Sequence, residues 1–189
     1  MKRYLFITCM VILFDQISKY YIKSSFIINS SIDIIEFSFL KLSCYYVQNS
    51  GLALGMPANI LGINIYYIVV FLSLLIIYYI YNFEMKKVIQ ESNSTLKLIS
   101  LSLILGGAIG NIIDRFFVIF GLFGYEGVVD FISVDINKII IFGKELQFPY
   151  IFNIADASVT IGIILYILHN FLFSYLQNRS SENAEAKEI

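Results

Sequence analysis

Residues 65–81 read IYYIVVFLSLLIIYYIY, an apolar run with no polar face at helical spacing. A helix that is apolar all round is surrounded by lipid or by protein core. Extended to 60–81, the run reaches the roughly 20 residues that cross about 30 Å of hydrocarbon at about 1.5 Å per residue. Three more stretches of the same kind occur, at 4–22, 98–118 and 154–175. The chain has 189 residues, of which 58% are hydrophobic and 14% charged, with a mean hydropathy of +0.77. Soluble domains carry roughly 25% charged residues, so composition and pattern agree. The expected fold is an all-α membrane protein of one integral domain over residues 1–189. It has four transmembrane helices, a small outer β-rich surface segment and a second outer loop.

Lys2, Arg3, Lys86, Lys87, Lys97, Arg179 and Lys187 would lie on one side of the four spans. Lys23, Lys41, Lys138 and Lys144 fall in the longer loops on the other. By the positive-inside bias, both termini are expected in the cytoplasm. Lys2-Arg3 followed by LFITCMVILF also resembles the start of a signal peptide, but Asp15 and Lys19 interrupt it and no small-residue cleavage site follows. The stretch is therefore expected to stay as the first span.

The outer loops are 23–59 and 119–153. In the first, IDIIEFSFLKLSCYY alternates partly and is β-branched, which predicts short strands on the membrane surface. In the second, INKIIIFGKELQF predicts a hairpin turning at Phe142-Gly143-Lys144. The polar tail, about 178–189, is expected to be disordered.

Ionisable groups inside a span cost at least about 2.5–3.5 kcal/mol each on insertion scales, so their positions are informative. Asp15 lies about 18 Å along the first helix from Arg3, in its outer half, with Lys19 one turn further on the same face. Asn111, Asp114 and Arg115 occupy the last two turns of the third span, and Asn153 and Asp156 begin the fourth. Three helices thus bring polar groups to one depth below the outer surface. Purely structural readings also fit: Asp15–Lys19 as a packing pair, Asp114–Arg115 as a buried ion pair, and Asp130 as an ordinary loop carboxylate. Gly106, Gly107 and Gly110 have the spacing that lets helices approach closely.

Several chemistries lack their residues. Cys9 and Cys44 form no CxxC pair, His169 is the lone histidine, and HExxH and GxSxG are absent, so zinc and nucleophile–base hydrolysis have no ligand or triad set. No basic stripe suits nucleic acid. What remains are carboxylates. Two of them sharing a low-dielectric site hold one proton between them, and such a pair can activate water for peptide hydrolysis.

The motifs then resemble those of bacterial lipoprotein signal peptidases (signal peptidase II). Asp15-Gln-Ile-Ser-Lys19 matches D-x-x-S/T-K, and Asn49-Ser-Gly51-Leu-Ala53-Leu-Gly55 matches N-x-G-x-A-F/W-G with Leu54 in place of the aromatic. Gly106-Gly107-Ala-Ile-Gly110-Asn111-Ile-Ile-Asp114-Arg115 matches G-G-x-x-G-N-x-x-D-R. Val129-Asp130-Phe131 matches V-D-F, and Phe152-Asn153-Ile-Ala155-Asp156 matches F-N-x-A-D. The resemblance implies a four-helix aspartyl endopeptidase of the bacterial inner membrane, acting without a cofactor. It would cleave diacylglyceryl-modified prolipoproteins before the lipidated cysteine, with Asp130 and Asp156 as the catalytic pair. Asp15, Lys19, Asn49, Gly51, Ala53, Gly107, Gly110, Asn111, Asp114, Arg115, Asn153 and Ala155 would support the site or bind substrate. Cyclic-peptide inhibitors such as globomycin would be expected to act on it. Asp130 and Asp156 are further apart in the chain than the family pattern has them, an excess that maps onto INKIIIFGKELQF and one residue between Pro149 and Phe152.

Other readings are less well supplied. A presenilin-type protease would need GxGD and more spans. An ion-coupled transporter would need polar groups continuing to the cytoplasmic side. A purely structural bundle would lose abundance, and not cleavage, on Asp→Asn substitution.

Overall fold

The computed structural model describes residues 2–37, 40–50, 59–60, 63–90, 94–141 and 144–185. In chain order its elements are α1 (Lys2–Ser25), β1 (Ser31–Glu36), β2 (Leu40–Asn49), β3 (Asn59–Ile60), β4 (Ile63–Asn64) and α2 (Ile65–Tyr79). A π-helical segment (Ile80–Met85) leads into α3 (Lys86–Gln90), followed by α4 (Thr95–Ile119), β5 (Val128–Ile141), β6 (Lys144–Phe152) and α5 (Ile154–Glu185). Among the described residues, four stretches are long and apolar enough to cross a bilayer: Tyr4–Ser25, Tyr66–Ile89, Thr95–Ile119 and Ile154–Tyr175.

The second span differs from its sequence reading of 60–81. Asn59 pairs with Asn64 and Ile60 with Ile63 in a small ladder, so the helix starts at Ile65, and it continues through the π-helical segment to Gln90. The π turn carries Glu84, which accepts from the Tyr166 hydroxyl at 3.1 Å and pairs with Lys97 at 3.6 Å, tying α2 to α4 and α5. The stretch from residue 178, expected to be disordered, is helical as far as Glu185. Extending an existing helix adds a hydrogen bond per residue without a new nucleus. Residues 186–189 lie outside the described residues.

The most buried of the four spans is α4, and α1, α2 and α5 all pack on it. Lipid gives no hydrophobic drive between helices, so close packing of small residues has to supply the contact. A Cβ on Gly107 would run into the carbonyl oxygen of Ala155 on α5, and one on Gly110 would lie 2.7 Å from Asp15 Oδ2.

The two outer loops of the sequence reading are one structure: an antiparallel sheet in the order β1-β2-β5-β6. Strands come from 23–59 as expected, but the second loop supplies the other half of the same sheet. The expected hairpin is β5–β6, paired from Ile132–Phe152 to Ile141–Lys144, while Phe142 and Gly143 of its turn lie outside the described residues. Cys44 faces Ile132 and Val47 faces Asp130, so β2 carries one extra residue there. Such a bulge re-aims the side chains beyond it.

Gly107→Ala sets a methyl against backbone that cannot swing aside. Thermal unfolding in detergent is expected to show a loss of about 1–3 kcal/mol, the usual penalty of overpacking.

Candidate active site

Lys19 is the centre of the polar cluster and is fully buried. Its ammonium lies 2.8 Å from Asp15 Oδ2, 3.1 Å from Asp114 Oδ2 and 3.2 Å from Asn111 Oδ1. Each carboxylate then reaches a different element. Asp15 Oδ1 accepts from the backbone N–H of Ala155 at 2.9 Å, in the first turn of α5. Asp114 Oδ2 accepts from the backbone N–H of Val129 at 3.1 Å, on β5. One buried cation thus holds two carboxylates, and these fix the helix start and the strand that carry Asp156 and Asp130.

The Asp114–Arg115 ion pair read from the sequence is not formed among the described residues. Neighbours at i,i+1 point away from each other on a helix, and Asp114 pairs across the bundle with Lys19. Arg115 donates from Nη1 to the Asn111 carbonyl at 2.9 Å and lies within electrostatic reach of Asp156, Asp114 and Asp130.

Asp130 is not a loop carboxylate either. It sits on β5, only 4% exposed, facing Val47 of β2. Asn49 is two residues along from Val47 and so on the same face, a diagonal neighbour. Its Nδ2 donates to Asp130 Oδ2 at 3.1 Å. Asn153 Nδ2 donates to the other oxygen, Oδ1, at 2.7 Å. Burial, and then the charge of Asp156, push the Asp130 carboxyl up to about 6, although the two asparagine hydrogen bonds and Lys19 pull the other way.

Asn153 also begins α5 as a capping box, the reciprocal arrangement that satisfies two orphan donors at a helix start. Its Oδ1 accepts from Asp156 N at 2.9 Å, and Asp156 Oδ2 accepts from Asn153 N at 3.3 Å. Asn111 Nδ2 donates to Asp156 Oδ1 at 2.7 Å. The F-N-x-A-D stretch is therefore a helix cap whose asparagine also grips the carboxylate on β5.

Of the sequence-derived site residues, Asp15, Lys19, Asn49, Gly107, Gly110, Asn111, Asp114, Asp130, Asn153, Ala155 and Asp156 meet in this network or pack directly on it. Arg115 borders it. Gly51 and Ala53 lie outside the described residues. Two participants went unremarked in the sequence. Gln16 donates from Nε2 to Asp15 Oδ2, the Gly110 carbonyl and Asp114 Oδ1, each at 3.1 Å. A polar residue at that depth in a span was the signal that could have found it. Tyr66, buried at the start of α2, donates to the Asn49 carbonyl at 3.3 Å. It is one of 14 tyrosines, and nothing in the sequence marks it out. A cavity of about 240 Å³ borders the site, lined by Asp156, Ala157, Thr160 and Ile161 of α5 and by Tyr150 and Phe152 of β6.

Residues 7–172 match the family model Peptidase_A8, described as signal peptidase (SPase) II. The chain belongs to the signal peptidase II family. Within it, the lipoprotein signal peptidase of Blochmanniella pennsylvanica is 31% identical over 179 residues, 93% of this chain and 92% of that protein. The lipoprotein signal peptidase of Fusobacterium nucleatum is 31% identical over 171 residues, 90% of this chain and 87% of that one. A solved bacterial membrane enzyme superposes with a TM-score of 0.69 at 30% identity, covering 92% of this chain and 90% of its own. A second reaches 0.64 at 29% identity, covering 89% and 92%. Family and helices together make the chain a multi-pass membrane protein of a protease family.

Removing the cation from this network leaves two buried carboxylates without compensation. Lys19→Met is expected to destabilise the protein by about 3–5 kcal/mol, read as a lowered unfolding midpoint in detergent.

Proposed function

We propose that this protein removes signal peptides from diacylglyceryl-modified prolipoproteins, cutting the peptide bond before the lipidated cysteine with Asp130 and Asp156 as an aspartyl dyad. The observation that carries the reading is the double grip of Asn153, which donates to Asp130 Oδ1 and accepts from Asp156 N. It joins a strand carboxylate and a helix-cap carboxylate in one setting, with Asn49 and Asn111 holding their other oxygens.

In this reading Asp130 enters the cycle protonated, in keeping with its raised pKa. Asp156 takes a proton from water as the water oxygen bonds to the scissile carbonyl carbon, and Asp130 gives its proton to the carbonyl oxygen. The neutral gem-diol then collapses. Asp156 protonates the amide nitrogen, Asp130 recovers a proton from one hydroxyl, and the C–N bond breaks to give a carboxylic acid and an amine. The dyad ends as it began.

Arg115, Asn111 and Asn153 would position the substrate backbone, and Gly51 and Ala53 would belong to the wall over it. The apolar cavity beside Asp156 suits a substrate whose acyl chains keep it in the bilayer. In this reading both termini lie in the cytoplasm, the chain forms one integral domain, and the sheet and dyad lie at the outer face of a bacterial inner membrane. The same site would take cyclic peptides of the globomycin type.

The deciding assay is a gel-shift processing assay on a diacylglyceryl-prolipoprotein. Asp130→Asn and Asp156→Asn are each expected to abolish cleavage while the protein still inserts, and globomycin is expected to block the wild type. Near-normal turnover by Asp130→Asn together with loss in Asp114→Asn would show that the dyad is wrongly chosen.

The pH profile follows from the role of Asp130. Its acid form is lost as pH rises through about 6, so kcat/KM is expected to fall on the alkaline side of that value. Asn49→Leu removes a hydrogen bond that favours the carboxylate, and the alkaline limb should move to higher pH.

A further inference from the structure

Gln16, Tyr20, Lys23 and Ser24 share one face of the last turns of α1. Together with Phe117 of α4 and with Phe123 and Tyr125 from the segment before β5, they line a cavity of about 290 Å³ that the proposed cleavage does not use. The Phe117 ring stands 5.1 Å from those of both Phe123 and Tyr125, which makes the inner wall. Tyr20 and Phe123 stand at the surface, 73% and 74% exposed, so the outer wall faces whatever surrounds the helices.

Three features describe the occupant. The cavity lies at the C-terminal ends of two candidate spans, the depth at which a bilayer passes from acyl chains to headgroups. Among the described residues its lining carries one cation, Lys23, and no carboxylate. The Lys23 ammonium gives one hydrogen bond to the Gly124 carbonyl at 2.8 Å and lies 5.0 Å from the centre of the Tyr125 ring. That holds it beside the cavity with donor capacity to spare.

We propose that this cavity is a binding site for an anionic glycerophospholipid of the bilayer, with the phosphate at Lys23 and the upper part of an acyl chain against Tyr20 and Phe117. The lipid would also touch Gln16, whose amide closes the seam between Asp15, Gly110 and Asp114. The site is separate from the dyad and does not depend on cleavage.

Native mass spectrometry of the full chain, in micelles doped with phosphatidylglycerol or with phosphatidylcholine, tests this without any activity readout. Phosphatidylglycerol should be retained about fivefold more than phosphatidylcholine, the effect of one basic residue at an anionic lipid surface. Lys23→Gln should bring the two lipids to parity, and Lys23→Arg should keep the preference. Phe117→Trp, which fills the cavity, should reduce retention of both. Lys86→Gln, beyond the π turn of α2, should change nothing. Equal retention of the two lipids by the wild type, or an undiminished preference in Lys23→Gln, would overturn the proposal. If Lys23→Gln does not fold, retention unchanged by Phe117→Trp has the same force.

Discussion

The ammonium of Lys19 lies between the carboxylates of Asp15 and Asp114, and all three side chains are shut off from solvent. Charges in such a place persist only when paired and hydrogen-bonded. Here the oxygens turned away from Lys19 are satisfied, Asp15 Oδ1 by the Ala155 N–H and Asp114 Oδ1 by Gln16, and the Val129 N–H adds a second bond to Asp114 Oδ2. Compensation of the charges and alignment of the site are therefore the same set of bonds. The start of α5 is held through Ala155, β5 through Val129, and both are referred to one point on α1.

The glycines of α4 make this geometry reachable. Gly107 lets the backbone of α5 approach at Ala155, and Gly110 leaves room for the Asp15 carboxylate. Larger side chains would push α5 and α1 off α4 and lengthen the bonds from Lys19 to Asp114 and Asn111. The sheet makes the complementary approach from outside the bundle. The bulge in β2 brings Val47 opposite Asp130, which puts Asn49 on the carboxylate's own face.

The spans were legible in the sequence because lipid demands about 20 apolar residues in a row, whatever the tertiary contacts. Their ends were less so: the β3–β4 pairing delays α2, and α5 continues beyond its apolar stretch. The depth of the polar residues was legible for the same reason, since helical rise converts position into height. Which group met which was not. The neighbour in sequence, Arg115, was the natural partner for Asp114, but successive residues on a helix diverge and the partner is Lys19 on α1. Gln16 and Tyr66 take their places only once α1, α2 and the sheet are assembled.

By itself, then, the sequence determined four apolar helices, the common depth of Asp15, Lys19, Asn111, Asp114, Asn153 and Asp156, and the family motifs. These depend on local spacing and on the solvent around each helix. The tertiary structure decided that the loop segments 23–59 and 119–153 contribute to one sheet, that Asp130 is buried on a strand, and that Asn153 holds it beside Asp156. Hydrogen bonds between Asn49 and Asp130, or between Asp15 and Ala155, join residues distant in the chain, and no local pattern encodes a distance across the fold.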